Sequence, residues 1–212
     1  MAEKDGATLT ETQLIDPEVR AQEYLQEPYT KIFKAHGIDE KYHNKWFFNY
    51  FPETEKRQGD IDIITEHARN DLPLAILGEV GNGKTHLAIA LLKDKIIQTM
   101  KPDAGHYYTL TDLHRKFRDS QSNPNKSEVK FYNELSQTNC LVIDEIQIRS
   151  NSDSEQRMVQ ELLDKRYSAN KQTVFVGNIS LDEFKEFLGE RLVDRIREQQ
   201  IQVLMFTGKS YR

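Results

Sequence analysis

The stretch "LGEVGNGKTHLAIALL", Leu77 to Leu92, carries the spacing G-x-x-x-x-G-K-[ST] in Gly78-Glu79-Val80-Gly81-Asn82-Gly83-Lys84-Thr85, with His86 next. The apolar run "PLAIL" at 73–77 precedes it, and Leu87, Leu91, Leu92, Ile96 and Met100 repeat at helical spacing after it. A strand, a glycine-rich turn and a helix in that order form a cradle for phosphate. The glycines let successive N–H groups converge on one anion, and the positive end of the helix faces the same point. Lys84 is expected to reach the outer phosphates of a nucleotide, and the Thr85 hydroxyl to ligate Mg2+.

Working outward, four more strand-like runs alternate with helical stretches: "HYYTL" at 106–110, "CLVID" at 140–144, "TVFVG" at 173–177 and "IQVLMF" at 201–206. This alternation predicts an α/β fold with a five-stranded parallel sheet flanked by helices. Met158, Leu162, Leu163 and Tyr167 mark a helix between the third and fourth strands, and the polar segment 119–128 reads as an exposed loop. Residues 1–35 are expected to form a loosely attached helical arm, and the aromatic cluster "KWFFNYF", Lys45 to Phe51, a strap on the domain edge. The expected division is an arm and strap over 1–55 and one nucleotide-binding domain over 56–212.

The 212 residues are 37% hydrophobic and 30% charged, enough for one core. No run is long and apolar enough for a membrane span, and the start lacks the layout of a secretion signal, so a cytoplasmic protein is expected. Cys140 is the single cysteine, which excludes an internal disulfide and a cysteine-rich zinc site; within "NCLVID" it reads as a core residue. A net charge of -5 argues against coating nucleic acid by bulk attraction, so any such contact needs a local patch.

Three further groups bear on turnover. Asp144 and Glu145 end the third apolar run, where Asp144 can orient Mg2+ and Glu145 can polarise a water for attack on a γ-phosphate. Asn178 closes the fourth strand at the same sheet edge, either as a holder of the attacking water or as an ordinary turn residue. Arg191, Arg195 and Arg197 crowd the predicted helix in "FLGERLVDRIRE", 187–198, whose Phe187, Leu188, Leu192 and Ile196 would face inward. An arginine supplied by a neighbouring subunit stabilises a transferring phosphate; the alternative is a solvated face paired with Glu190, Asp194 and Glu198.

Taken together, "GNGKTHLA", "LVIDEI", "LGERLVDRIRE" and the terminal "SYR" resemble the DnaC-type bacterial replicative helicase loaders, AAA+ ATPases, over roughly residues 35 to 212. The resemblance implies an AAA+ fold without a helical lid, ATP and Mg2+ as ligands, and self-association through the ATP sites. It also implies Asn178 as first sensor, Arg195 as arginine finger beside Arg191, and Arg212 as second sensor. The implied partners are a DnaB-type replicative helicase, gripped by an N-terminal arm, and single-stranded DNA. By position, the segment "TDLHRKFRDSQSNPNKSEVKFYNEL" corresponds to the family's DNA-contacting insertion. Its Lys116 and Arg118 would meet phosphates and Phe117 would stack on bases, unless Leu113 and Phe117 face the core instead. Ser152 and Ser154 lie where relatives also approach DNA. The alternative is an IstB-type transposition helper ATPase that binds duplex DNA.

Overall fold

The structure is a computed structural model, and it describes residues 26, 28–52, 54–122, 127–148 and 153–207. Five parallel strands, β1 (Leu74–Gly78), β2 (Gly105–Thr109), β3 (Cys140–Asp144), β4 (Gln172–Gly177) and β5 (Gln202–Phe206), lie in the order β2-β3-β4-β1-β5. Each observed strand falls within a residue or so of its expected run. The inner strands β1, β3 and β4 are buried almost end to end. The edge strands β2 and β5, by contrast, are buried only in part.

The period of two along each strand divides the core into two layers. Leu74 and Ile76 of β1, with Val142, Val174 and Val176, face helices α1 (Tyr29–Ala35), α2 (Glu55–Arg69) and α3 (Lys84–Thr99). Ala75, Leu77, Leu141, Ile143 and Phe175 face the opposite layer. That layer holds α4 (Leu110–Ser122), α5 (Glu128–Gln137), α6 (Asp153–Ser168), α7 (Leu181–Leu188) and α8 (Glu190–Glu198). Cys140 is fully buried in the first layer, and its thiol is pushed up to about 11 by burial, as expected of a core residue. Among the described residues, no helix is long and apolar enough to cross a membrane.

Several sequence expectations change. Tyr29–Ala35, the described part of the expected loose arm, is anchored by Phe33, which is fully buried in the first layer. The strap residues Trp46 and Tyr50 join the same layer through short 3-10 turns at Glu40–Tyr42 and Phe47–Asn49. Lys93 of α3 fastens them: its ammonium donates to the carbonyls of His43 (2.6 Å) and Lys45 (3.1 Å) and lies 3.1 Å from the Trp46 ring centroid. Asp119 to Ser122, expected in a loop, continue α4. The single helix expected over 187–198 breaks at Gly189, whose φ of 76° ends α7 and starts α8.

Candidate functional site

All five strands point the same way, so the loops after β1, β3 and β4 meet along one edge of the sheet, where open α/β sheets bind ligands. There they surround a cleft of about 660 Å³ lined by Val80 to His86, Asp144, Glu145, Gln147 and Asn178, with Asn44, Lys45, Asn49, Tyr50 and Phe51 of the strap as the opposite wall.

The phosphate loop is held from both sides. From β5, the Phe206 carbonyl accepts the Glu79 N–H (2.9 Å) and the Asn82 side-chain amide (3.1 Å). From the strap, the Tyr50 hydroxyl donates to the Asn82 carbonyl (3.0 Å). Two of the motif's glycines answer to these neighbours. A Cβ on Gly78 would lie 2.2 Å from the Phe206 carbonyl oxygen, and one on Gly83 would lie 2.4 Å from the Tyr50 ring. Gly83 also has a φ of 76°, which a side chain would strain.

Lys84 is almost wholly buried and donates to the Glu79 carbonyl. Burial lowers its ammonium to about 8, with Asp144 and Glu79 opposing the shift. A buried cation resting on a carbonyl dipole beside converging N–H groups fits an anion; a bound phosphate would supply the missing counter-charge. Asp144 is 4% exposed, and burial raises its carboxyl above the ordinary range. Opposing that shift, it accepts hydrogen bonds from the Thr85 hydroxyl (2.8 Å), the Glu145 N–H (2.7 Å) and the Tyr107 hydroxyl (3.0 Å). Thr85 Oγ1 and Asp144 Oδ2, 2.8 Å apart at the cleft, are hard oxygens of the kind that suits a hard cation such as Mg2+. Glu145 is exposed at the cleft with a φ of 57°, a left-handed turn that separates its side chain from Asp144. The Asn178 N–H donates to Gln147 Oε1 (3.1 Å), which joins the ends of β3 and β4.

The strap contacts were not foreseen. His86, kept neutral by burial, has Nε2 at 2.8 Å from the Trp46 carbonyl and 3.1 Å from Asn49 Oδ1. Both are acceptors, so Nε2 carries the proton. Its ring meets the Tyr50 ring edge-on at 5.4 Å. The start of α3 is thus tied to the strap at the point where phosphate would sit. The available signal was Asn49-Tyr50, an amide and a phenol closing a run of aromatics.

Arg191 and Arg195 do not line this cleft; both sit on α8 and bond Asp164 of α6. Ser154 lies exposed in the first turn of α6. Ser152, Arg212 and most of the expected arm, residues 1–25, fall outside the described residues. In the segment expected to meet DNA, Phe117 takes the core-facing alternative. Phe117 is 4% exposed and packs against Phe131 and Tyr132, because Leu110, Leu113 and Phe117 recur on the core face of α4. Lys116 is neutralised by Glu134 (2.8 Å) and Arg118 by Glu155 (3.0 Å).

Comparison with known proteins agrees with this geometry. Residues 32–212 match the family described as IstB-like ATP binding protein. The chain is 30% identical over 187 residues to "Replicative helicase loader DnaC" of Buchnera aphidicola subsp. Baizongia pistaciae, covering 86% of this chain and 75% of that protein. With the protein of the same name from Escherichia coli (strain K12) it shares 28% over 186 residues, at the same coverage. Its fold overlays on a crystal structure of the DnaC helicase loader with a TM-score of 0.69 at 23% identity, covering 80% of this chain and 100% of that one. With its phosphate loop, paired carboxylates and five-stranded parallel sheet, the chain belongs to the IstB-like ATP-binding family of AAA+ proteins, in its DnaC-type helicase-loader group.

Proposed function

We propose that the chain is an ATP-driven loader that delivers a DnaB-type replicative helicase to single-stranded DNA in the cytoplasm, hydrolysing ATP at contacts between its own subunits. The observation that carries this reading is the division of catalytic groups. Among the described residues, the cleft is lined by Lys45 and Lys84, by Thr85 and Asp144 and by the exposed carboxylate of Glu145 but by no arginine, while α8 presents an arginine pair elsewhere. A site completed only by a neighbour couples turnover to assembly, which suits the loaders that the relatives' names describe.

In this mechanism the N–H groups of Val80 to Lys84 cradle the phosphates, and the Lys84 ammonium exchanges the Glu79 carbonyl for phosphate oxygens. Thr85 and Asp144 would hold Mg2+, which when bound neutralises charge developing on the β- and γ-phosphates. Glu145 takes the proton of the attacking water, and Asn178 orients that water. Arg195 of the next subunit meets the transferring phosphate with Arg191 beside it, and Arg212 serves as second sensor. Residues 1–55 supply the helicase grip.

The test is capture of a purified DnaB-type helicase ring by the full chain with ATP, against Lys84→Ala, alongside ATP turnover with and without single-stranded DNA. ATP-dependent capture by the parent and none by Lys84→Ala is expected. Tight, salt-sensitive binding of long duplex DNA with no affinity for the helicase would overturn the reading in favour of a transposition helper.

A further inference from the structure

We infer that Asp164, on the outer face of α6, is a positioning residue for the arginine finger: one carboxylate clamps both Arg195 and Arg191 in the orientation they present to the neighbouring subunit's phosphate. This rests on the trans-finger reading above.

Asp164 Oδ2 accepts from Arg191 Nη2 at 2.9 Å, and Oδ1 accepts from Arg195 Nη1. The three side chains differ in exposure: Asp164 is 28% exposed, Arg195 32% and Arg191 73%. Arg195 is further confined by the Tyr167 ring, 5.4 Å from its guanidinium carbon, and the Tyr167 hydroxyl is itself tied to Glu198. The finger is therefore bracketed by a carboxylate and an aromatic ring. A guanidinium has five N–H donors, and the Asp164 bond uses one from Arg195, so the others remain to meet phosphate without breaking the clamp. Two cations on one anion also leave the group net positive, as a phosphate-facing surface requires.

Holding α8 in place does not need this carboxylate. Leu192 and Ile196 are buried in the second core layer, and half-exposed ion pairs contribute little to stability. What Asp164 supplies is orientation. A free arginine on a nine-residue surface helix samples many rotamers, and a misplacement of about 1 Å costs on the order of 10²-fold in rate.

The test uses two variants, each inactive by itself. Lys84→Ala keeps the finger and loses the phosphate site; Arg195→Ala does the reverse. Mixed in equal amounts, they form interfaces in which the first donates its finger to the second, and ATP turnover should return. Asp164→Ala is then added to one partner at a time. On the donor, beside Lys84→Ala, it should lower kcat about 10²-fold at unchanged KM for ATP. On the receiver, beside Arg195→Ala, it should change turnover less than twofold. Asp164→Asn, of the same shape, carries the test if the alanine variant does not fold. Unchanged or faster turnover with the donor variant, or equal losses from either side, would overturn the proposal. Absence of recovery in the parent mixture would overturn the trans-finger reading itself, and the proposal with it.

Discussion

Replacing Arg166 by leucine removes a fully buried guanidinium that faces backbone carbonyls rather than a carboxylate. Its Nη1 donates to the Leu135 carbonyl and to the Thr138 carbonyl (2.9 Å), Nη2 to the Gln172 carbonyl, and Nε to Thr173 Oγ1 (3.0 Å). Burial lowers the group to about 10, which leaves it charged at neutral pH. Leu135 and Thr138 lie at the C-terminal end of α5, where the last carbonyls have no helical partner and the helix dipole is negative. Arg166 thus caps α5 while joining α6 to the start of β4. Leucine keeps the apolar stem and leaves three carbonyls without these bonds, at about 1–3 kcal/mol each. Relief of the buried charge offsets part of that loss. The net expectation is a destabilisation of about 3–5 kcal/mol, a large share of a domain's usual ~5–15 kcal/mol, lowering Tm by roughly 10–15 °C. Urea and thermal unfolding followed by far-UV circular dichroism measure it, with Arg166→Lys expected to fall between the two because one ammonium cannot span four acceptors. A loss below about 1 kcal/mol for Arg166→Leu would refute the reasoning, since it would mean the carbonyls find other donors without cost.

Nucleotide affinity should be level below pH 7 and fall about tenfold between pH 7 and 9, because only charged Lys84 pairs with phosphate and its ammonium is lowered to about 8; titration calorimetry that shows no such fall would contradict this. Gly83→Ala should weaken nucleotide binding about tenfold or more and shift the fluorescence of Trp46, the single tryptophan, as its Cβ displaces the Tyr50 ring; unchanged Trp46 emission would separate the strap from the loop. Glu145→Gln should retain nucleotide binding while lowering turnover about 10²-fold or more, a loss that a single-turnover assay reads directly. Lys116→Ala with Arg118→Ala should alter single-stranded DNA binding less than twofold, since both cations are already paired with carboxylates; a larger loss by fluorescence anisotropy would restore the patch.

What the sequence disclosed follows from which forces are local. Apolar runs such as "LAIL" and "CLVID" are strand-length and uninterrupted because inner parallel strands are covered on both faces, so their register was readable within a residue or so. The phosphate loop was readable because its glycine spacing answers to one geometry. Periodicity likewise sufficed for α3, but in α4 Phe117 read equally as a base-stacking ring or a core residue. Only its packing against Phe131 and Tyr132, on the next helix, decides for the core. The contacts of Tyr50, of His86 with the strap and of Asp164 were missed for the same reason: each runs to a partner more than twenty-five residues away, and no short pattern names that partner.

The Phe206 carbonyl, which receives donors from both Glu79 and Asn82, makes the last strand a mechanical lever on the phosphate loop. Arg57 extends that lever: its guanidinium lies 3.7 Å from the Phe206 ring centroid and donates to the Thr207 carbonyl, so α2 and β5 bear on the same point. Tension applied along β5 would be delivered to the loop as a displacement of two anchors, the Glu79 N–H and the Asn82 side-chain amide, and a rearranged loop would push back along the same route. The edge of the sheet farthest from Asp144 and Glu145 thus has its own direct path by which force from outside the domain would reach the loop.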